Sequence, residues 1–419
     1  MKISIFGLGY VGLPLAVELS KNYKVLGFDL DKERIIQLRS GFDKNIQFKK
    51  KNLLNSNNLI FTNDYLDLIG SKIFIITVPT PVKKNKEPDL SLIKKAAITI
   101  SKIVRKKNII ILESTVYPGV TRNIIGNIIE KKSKLKLYKD FQLAYSPERV
   151  NPGDKKNTIA NIRKIIGATD KKTLDKVSII YDSFLKNKIY KTDSIEIAEA
   201  AKVIENTQRD INIALINEFL KIFNSMNLDT SKILDAASTK WNFLNFSPGL
   251  VGGHCIGVDP YYLAYSAKKN GIKPNLILSG RKINESVPHF IVNKCLKFMK
   301  HRKNFKVLFL GLTFKEDCPD FRNSKSFKVL SLLNKYTNKI DIYDPYMDTF
   351  TEKKLIKKNN VLIDLNLTNR PYDLIMILVS HQEFKIFSKN YKFEKLLKSK
   401  GYIYDFKNIL RENSKIIKN

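Results

Sequence analysis

The chain has 419 residues, of which 43% are hydrophobic and 10% aromatic, and its formal net charge is +34. A chain of this length is too long for one ordinary hydrophobic core, so we expect two or three domains. The lysines are spread through almost every segment, with no basic tail and no zinc-finger spacing. This distribution argues against a protein that binds nucleic acid.

The three cysteines, Cys255, Cys295 and Cys318, cannot form a fully paired set of disulfides, which favours a reducing compartment. The first residues, Met1–Gly7, form a short apolar run that ends in glycine and lacks the features of a signal peptide. No segment reaches the ~18 uninterrupted apolar residues of a membrane span. We therefore expect a soluble, cytoplasmic protein.

The first thirty residues have the order strand, glycine-rich turn, helix, strand. The segments are Lys2–Phe6, Gly7–Gly12, a helix from Leu13, and Lys24–Phe28. Gly7 would permit a tight turn, Gly9 would let backbone amides approach a pyrophosphate, and Gly12 would let helix and strand pack closely. Asp29 follows the second strand, where a carboxylate can bond the adenine-side ribose hydroxyls. This position favours NAD over NADP.

Strands and helices continue to alternate after this turn. Apolar runs predict strands at Lys72–Val78, Asn108–Leu112, Phe141–Tyr145 and Lys164–Ile166, with helices at Asp89–Arg105 and Thr121–Lys132. The alternation predicts a parallel, doubly wound α/β sheet. Ligands of such sheets meet the loops at the carboxyl ends of the strands. Three loops fall there: Thr77–Pro81, Glu113–Gly119 and Tyr145–Gly153.

The stretch from Asp193 to about Asn224 contains no Pro or Gly and predicts a single long helix. A helix of ~30 residues is about 45 Å long, enough to join two domains or to pair with a copy of itself. Asp193 and Glu196 have the spacing of a capping box at its start. Lys202 and Asn206 share a face of the helix. On spacing alone that face is more often solvated.

The segment Gly249–Leu263 places Cys255 directly after Gly252-Gly-His and four positions before Asp259. The glycines would let a ligand approach the backbone closely. A thiol with a carboxylate nearby suits covalent catalysis, in which a thiolate attacks a carbonyl carbon. For a lone cysteine, the ordinary alternative is a buried structural residue.

Residues 305–419 repeat the alternation of strands and helices without a second glycine-rich turn. The predicted strands are Lys306–Leu310, Ile340–Tyr343, Asn360–Ile363, Tyr372–Val379 and Tyr402–Phe406, with a helix at Ser324–Lys335. Lys315 and Arg322 flank a strand-end loop and could hold phosphate. We therefore predict two Rossmann-like parallel-sheet domains, residues 1–192 and 301–419, joined by a helical middle domain, residues 193–300, that contains the long central helix.

Taken together, the motifs resemble the UDP-glucose/GDP-mannose dehydrogenase family over nearly the whole chain. The motifs are Gly7–Gly12, Glu113-Ser-Thr115, Pro147-Glu148, Glu199-Ala-Ala-Lys202 with Asn206, Gly252-Gly-His-Cys255 with Asp259, and Gly311-Leu-Thr-Phe-Lys315 with Asp320-Phe-Arg322. Within the family, Ser146–Gly153 and Gly253–Tyr262 look most like enzymes that act on UDP-N-acetylhexosamines. Those enzymes make uronic acids for bacterial surface polysaccharides such as the Vi antigen.

The resemblance implies an NAD-dependent, four-electron oxidation of a nucleotide sugar's 6-hydroxyl to a carboxylate. By resemblance, Lys202 and Asn206 stabilise the developing oxyanion. Cys255 then attacks the aldehyde and carries a thiohemiacetal and a thioester in turn. Asp259 and Glu148 are the acid/base candidates for hydrolysis of the thioester.

The same resemblance implies two sets of binding residues. The expected NAD contacts are Gly7, Gly9, Tyr10, Val11, Gly12, Asp29, Arg34, Thr80 and Thr115. The expected contacts with the UDP-sugar are Glu148, Arg149, Val150, Asn151, Lys202, Asn206, Gly252, Lys315 and Arg322. Within these sets, Arg34 would contact the ADP portion, and Thr115, a catalytic position, would hold a water or the nicotinamide edge. The resemblance also implies a homodimer through the central helix and no metal site.

The chain departs from the UDP-glucose enzymes at two positions. Pro152 stands where they carry a second acid, and Thr239 stands where they reach an arginine across the dimer. UDP-N-acetylglucosamine or UDP-N-acetylgalactosamine is therefore the favoured substrate, with UDP-N-acetylmannosamine or UDP-glucose as the alternative. A non-catalytic protein that binds nucleotide sugars is the alternative from another class. Cys295 and Cys318 are expected to be structural or incidental.

Overall fold

The computed structural model describes residues 1–44, 48, 50–54, 57–150, 158–185, 188–300, 303–347, 359–365, 371–390, 393–410 and 415–417. One predicted site residue, Asn151, lies outside these ranges. The described residues form two compact units: Met1–Asn206 with Tyr261–Lys273, and Thr207–Pro260 with Pro274–Asn419. The predicted domain boundaries at residues 192 and 300 stay predictions.

The first unit is built on a sheet with eight described strands. They are β1 (Lys2–Phe6), β2 (Lys24–Phe28), β3 (Leu59–Thr62), β4 (Ile73–Ile76), β5 (Asn108–Leu112), β6 (Phe141–Tyr145), β7 (Lys164–Ala168) and β8 (Ile189–Lys191). Their spatial order is β3-β2-β1-β4-β5-β6-β7-β8. Strands β4 and β5 are buried along their whole length, as expected of parallel strands covered by helices on both faces. The doubly wound architecture is confirmed.

One strand pair differs from the predicted parallel arrangement: β7 runs antiparallel to β6, with Ala144 opposite Ala168. A parallel neighbour needs a crossover connection, usually a helix. In the described part of the connection from β6 to β7 there is no helix, so the chain can return in the opposite direction. Strand β8 then pairs parallel to β7.

Short helices cover this first sheet. They are α1 (Gly12–Ser20), α2 (Lys32–Arg39), α3 (Lys50–Leu54), α4 (Ser91–Ile103), α5 (Asn127–Ser133) and α6 (Lys171–Leu185), with a 3₁₀ turn at Tyr65–Leu68. The predicted helix over 121–132 begins with a π-helical turn at Thr121–Gly126. Apolar side chains of α1, α2 and α6 join those of the strands in one buried core.

The helical middle of the chain contains α7 (Ile195–Ser225), α8 (Thr230–Ser238), α9 (Asp259–Lys269) and α10 (Asn275–Phe298). The predicted long helix is confirmed, but its cap is not the predicted one. Ser194 accepts the hydrogen bond from the Ile197 amide at 3.2 Å, and Glu196 is bound by the guanidinium of Arg122. A hydroxyl can cap a helix as a carboxylate does, so the neighbouring Ser194 takes the role predicted for Asp193.

The second unit contains a sheet with six described strands. They are β9 (Val307–Leu310), β10 (Ile340–Tyr343), β11 (Asn360–Val361), β12 (Tyr372–Ile377), β13 (Leu397–Asp405) and β14 (Ile416–Ile417), accompanied by α11 (Ser326–Leu333), α12 (Gln382–Asn390) and a 3₁₀ turn at Phe393–Leu396. The order is β11-β10-β9-β12-β13-β14, and every pair is parallel. Cys295 is fully buried in the core that this sheet shares with α10.

Among the described residues, no helix combines the length and the apolar character that crossing a bilayer requires.

Candidate active site

Four strands of the first unit end side by side. Phe6 is in register with Ile76, Ile76 with Leu112, and Leu112 with Tyr145. The glycine-rich turn and the three predicted loops therefore leave the sheet at one edge. This is the edge at which parallel α/β sheets bind ligands.

The glycine-rich turn fits a dinucleotide. Gly7 has φ of +95°, a conformation that favours glycine. A Cβ at Gly12 would lie 1.9 Å from the Gly7 carbonyl oxygen, so only glycine can begin α1 there. A Cβ at Gly9 would meet nothing within 4 Å, which leaves open space for a phosphate at the helix N-terminus. Tyr10 and Val11 complete the turn and are half-buried.

Asp29 and Arg34 both support this turn. Asp29 accepts hydrogen bonds from the amides of Leu8 at 2.8 Å and Asp31 at 3.0 Å. Its half-buried carboxylate has further lone pairs for ribose hydroxyls. Arg34 is only 2% exposed; it donates to the Leu8 carbonyl at 3.1 Å and pairs with Asp43 at 2.8 Å. The structure thus places Arg34 beneath the turn, and its contact with the ADP portion stays a prediction.

Two further loops contribute predicted contacts. Thr80 and Thr115 are half-buried, and Ser114 donates to the Val78 carbonyl at 2.6 Å, which joins their loops. Tyr262, for which no role was predicted, donates to the Pro81 carbonyl at 3.3 Å. Its fully buried ring therefore supports the loop that carries Thr80.

The first part of α7 is fixed to the loops that follow β5 and β6. Glu199 accepts hydrogen bonds from the Gly119 amide at 2.5 Å and from the amide and hydroxyl of Thr121 at 2.8 and 2.6 Å. Burial raises the pKa of the Glu199 carboxyl to about 7, although these donors act to lower it. Six residues further along α7, Glu205 pairs with Arg149 at 2.8 Å. The sequence marked Glu199 only as part of a motif.

On α7, Lys202 lies between the anchors Glu199 and Glu205, and Asn206 directly follows Glu205. Lys202 is 8% exposed and Asn206 is 7% exposed. The interpretation of a solvated face is therefore wrong. Glu199 and Glu205, on either side of Lys202, hold this part of the helix to the loops that follow β5 and β6. A buried ammonium beside a buried amide is a suitable pair of donors for a developing oxyanion.

Glu148 is held by its own loop. Its Oε1 accepts hydrogen bonds from the amides of Arg149 at 2.7 Å and Val150 at 2.6 Å. The Arg149 guanidinium also donates to the Arg163 carbonyl at 2.9 Å. The carboxylate is thus fixed at one oxygen, while the segment that begins at Asn151 lies outside the described residues.

In the second unit, a chain of buried polar groups fixes the start of the cysteine loop. The Asn217 amide group donates to the Gly249 carbonyl at 2.9 Å and accepts from the Gly249 amide at 3.0 Å. Asn217 also donates to Asn284 at 2.8 Å, and Asn284 donates to the Asp210 carboxylate at 2.8 Å. Arg281 neutralises that carboxylate at 2.6 Å.

The same loop packs closely on the segment after β9. A Cβ at Gly252 would lie 2.6 Å from the Asn323 carbonyl oxygen, and one at Gly253 would lie 2.8 Å from the Phe314 ring. Cys255 is exposed, and its carbonyl accepts the Asp259 amide at 2.9 Å at the start of α9. The Asp259 side chain is 3% exposed. The alternative of a buried structural cysteine at position 255 is thereby excluded.

A small cleft, with a cavity volume of about 70 Å³, adjoins the cysteine loop. It is lined by Leu250, Thr313, Phe314, Lys315, Glu316, Ser324, Lys325, Ser326, Leu378, Val379 and Lys407. Lys315 and Lys407 bring positive charge to it, as an anionic ligand requires. Lys407 was not predicted; its position two residues after a strand-end acid, Asp405, is the signal that could have found it. Arg322 lies outside this lining and binds Asp320 through two hydrogen bonds of 2.8 and 2.7 Å.

The other two cysteines are buried. Burial raises the pKa of the Cys318 thiol to about 11 and that of Cys295 still further. Both are therefore poor nucleophiles at neutral pH.

Comparison with known proteins identifies the two units. The chain matches the UDP-glucose/GDP-mannose dehydrogenase family in its NAD binding domain over residues 1–185, its central domain over 196–286 and its UDP binding domain over 308–412. It is 42% identical to UDP-N-acetyl-D-glucosamine 6-dehydrogenase of Salmonella typhi, over 98% of this chain and 96% of that protein. The protein of the same name from Pseudomonas aeruginosa is also 42% identical, over 99% and 98%.

Among solved structures, the UDP-D-ManNAc dehydrogenase from Pyrococcus horikoshii aligns with a TM-score of 0.87 and 32% identity, covering 99% of this chain and 97% of that one. The chain belongs to the UDP-glucose/GDP-mannose dehydrogenase family. It is an NAD-dependent nucleotide-sugar dehydrogenase.

Proposed function

We propose that this enzyme oxidises the C6 hydroxyl of a UDP-N-acetylhexosamine to the uronic acid, with UDP-N-acetylglucosamine as its first candidate substrate and UDP-N-acetylgalactosamine as the second. The names of the relatives from Salmonella typhi and Pseudomonas aeruginosa support the glucosamine form. The alternatives are UDP-N-acetylmannosamine, which the name of the Pyrococcus horikoshii neighbour supports, and UDP-glucose. The acid would serve the synthesis of a surface polysaccharide.

The single observation that carries this proposal is the exposed thiol of Cys255 on a loop that adjoins a positively charged cleft. A UDP group bound in the cleft through Lys315, with Arg322 and the backbone at Gly252 as further contacts beyond the lining of the cleft, would place the sugar towards this loop. NAD at the glycine-rich turn supplies the hydride acceptor for both oxidations.

In the first oxidation, C6 would lose a hydride to NAD and its hydroxyl would lose a proton to water, while Lys202 and Asn206 donate hydrogen bonds to the oxygen as it becomes an aldehyde oxygen. The Cys255 sulfur then bonds to the aldehyde carbon, and the oxygen takes up a proton to give a thiohemiacetal. Loss of a hydride from carbon and of the hydroxyl proton leaves a thioester. Water, deprotonated by Glu148 or Asp259, attacks that carbon, so the carbon–sulfur bond breaks and the acid leaves.

A panel of UDP-sugars tests the proposal, with NADH and uronic acid measured for each sugar. The expected result is two NADH for each UDP-N-acetylglucosamine consumed. No NADH with any sugar of the panel would refute the enzymatic proposal, and a preference for UDP-N-acetylmannosamine or UDP-glucose would replace the substrate. Cys255→Ser should stop acid release, whereas unchanged acid production would remove the assigned nucleophile.

We also propose a homodimer through α7. Four exposed apolar side chains lie along this helix: Ile197, Ile204, Leu215 and Ile222, which are 49%, 53%, 45% and 45% exposed. Steps of seven and eleven residues return to nearly the same side of a helix, so the four form one stripe. An exposed apolar stripe of this length suits a partner helix of the same kind.

A further inference from the structure

A buried lysine, Lys164, lies behind the loop that carries Glu148. Its side chain is 3% exposed, at the first position of β7. Its ammonium lies 2.9 Å from Glu113 Oε2, 3.3 Å from the Pro147 carbonyl and 3.4 Å from the Ser146 carbonyl. An ammonium has three protons, so these three acceptors use all of them.

Glu113 is fixed in turn from a third element. Its other oxygen accepts a hydrogen bond from the hydroxyl of Tyr181, on α6, which is fully buried. The Lys164 ammonium also lies 4.9 Å from the centre of the Tyr181 ring. Burial raises the pKa of Glu113, whereas Lys164 acts to lower it. The position of the ammonium is therefore determined by strand, loop and helix together.

The two oxygens of Glu148 have different surroundings. Oε1 is bound by two backbone amides of its own loop. Oε2 lies 3.9 Å from the Lys164 ammonium, too far for a hydrogen bond, and it accepts none from the residues that the structure describes. The charge of the Lys164 ammonium is thus near enough to stabilise the carboxylate. Its three protons, however, are directed to Glu113 and to the carbonyls of residues 146 and 147, so none is donated to Oε2.

We propose that Lys164 is a positioning residue for Glu148. It holds the backbone of residues 146 and 147 by their carbonyls, favours the charged carboxylate, and leaves Oε2 open to a water or a substrate proton. Glu113 and Tyr181 keep Lys164 in this place. The proposal rests on the proposed role of Glu148 as an acid/base group of the reaction.

Other charges face Glu148 and set the sign of the expected effects. Glu113 is a second buried carboxylate on the same ammonium and opposes the charged form of Glu148, and Tyr181 contributes a neutral hydroxyl. Arg149 is adjacent but is paired with Glu205. Removing the Lys164 charge should therefore make Glu148 harder to ionise, and removing the Glu113 charge should make it easier.

The first test compares the pH dependence of kcat in Lys164→Met and Glu113→Gln. The acidic limb of the profile should move to higher pH in Lys164→Met and to lower pH in Glu113→Gln, each by about one unit. A glutamine at 113 can still accept from Lys164 and donate to Tyr181, so its fold is expected to persist. A purely structural role would reduce kcat in both variants without moving the limb in opposite directions.

Lys294→Met is the matched control, because Lys294 is also buried, 6% exposed, but lies on α10 in the second unit. Its acidic limb should coincide with that of the wild type. Coincident limbs in Lys164→Met and the wild type would overturn the proposal. If Lys164→Met does not fold, the pH profile of Glu113→Gln alone tests the proposal. An acidic limb of Glu113→Gln that coincides with that of the wild type would then overturn it.

A second measurement does not depend on activity. In the full chain with ¹³C-labelled glutamate carboxyls, the Glu148 resonance is assigned by its loss in Glu148→Gln and then titrated in each variant. If the titration midpoint of Glu148 moves in opposite directions in Lys164→Met and Glu113→Gln, the proposal for Lys164 is supported. This holds even if no UDP-sugar is oxidised, a result that would refute only the proposed function. Unmoved midpoints in an active enzyme would refute the role of Lys164 and leave the function standing.

Discussion

Alanine at Gly9 and alanine at Gly12 should have opposite consequences, although the two residues lie three positions apart in one turn. A Cβ at Gly12 would lie 1.9 Å from the Gly7 carbonyl oxygen and 2.5 Å from the Thr77 hydroxyl oxygen. Both neighbours are fixed, because the Thr77 hydroxyl itself donates to the Gly7 carbonyl at 2.8 Å. At Gly9 the added methyl group would meet nothing within 4 Å.

The expected magnitudes follow from these distances. Relief of the overlap at Gly12 requires the first turn of α1 to move away from β1, a kind of overpacking that costs about 1–3 kcal/mol. In a domain of this size each kcal/mol lowers Tm by about 2–4 °C. Gly9→Ala should change the free energy of unfolding by no more than about 0.5 kcal/mol, as most surface substitutions do. Its Tm should therefore stay close to that of the wild type. The substitution should weaken NAD binding at least about tenfold, or about 1.4 kcal/mol, because the methyl group would occupy the space of the pyrophosphate.

Thermal unfolding of the apo proteins and calorimetric titration with NAD separate the two effects. Gly12→Ala should lower Tm whether or not NAD is present, and Gly9→Ala should lose only the increase in Tm that NAD confers on the wild type. An unchanged Kd for NAD in Gly9→Ala would refute the placement of the pyrophosphate at this turn. A wild-type Tm in Gly12→Ala would refute the steric argument.

Three further outcomes are expected. Alkylation of the native chain followed by peptide mass spectrometry should label Cys255 and leave Cys295 and Cys318 unmodified, because only the first is exposed; labelling of a buried thiol at an equal rate would contradict the described core. Lys294→Met should raise the free energy of unfolding at pH 7, since burial lowers the pKa of Lys294 from 10.5 to about 8 and the native state holds the charge at a cost. That gain in stability should shrink as the pH rises from 8 towards 10.5, because in this range the amine is neutral in the native state and still charged in the unfolded state. Denaturant titrations at several pH values measure the free energy of unfolding of both proteins. Ile204→Asp should halve the mass found by light scattering, and an unchanged mass in a folded variant would oppose the proposed contact through α7.

The strands and the long helix were predictable because their signals are local. Strands buried on both faces are continuous runs of apolar residues such as Asn108–Leu112, and the structure keeps those bounds. The absence of a helix from a connection is harder to recognise in a sequence than an apolar run. The antiparallel direction of β7, which follows such a connection, was therefore not predicted. The strand β3 (Leu59–Thr62) was also missed, since it is short and follows a polar stretch.

The sequence predicts which residues belong to the candidate site, but it does not predict the contacts that they make. The helical spacing of Lys202 and Asn206 shows that they share a face, but the loops that hold this part of the helix, through Glu199 and Glu205, come from elsewhere in the chain. Gly252 was interpreted as room for a ligand, whereas the nearest obstacle to its Cβ is the backbone of Asn323. A glycine shows that something approaches closely, and only the fold shows what approaches.

The amide of Asn217 has a consequence for how this chain can vary. Between Asn217 and Gly249 the chain completes α7, forms α8 and returns, and the double hydrogen bond between the two residues closes this excursion at its base. The loop that carries Cys255 begins at that closure, so its starting point does not depend on the path taken in between. Beyond the end of α7 at Ser225, the excursion can therefore change in length or receive a grafted segment, while the loop that begins at Gly249 keeps its place.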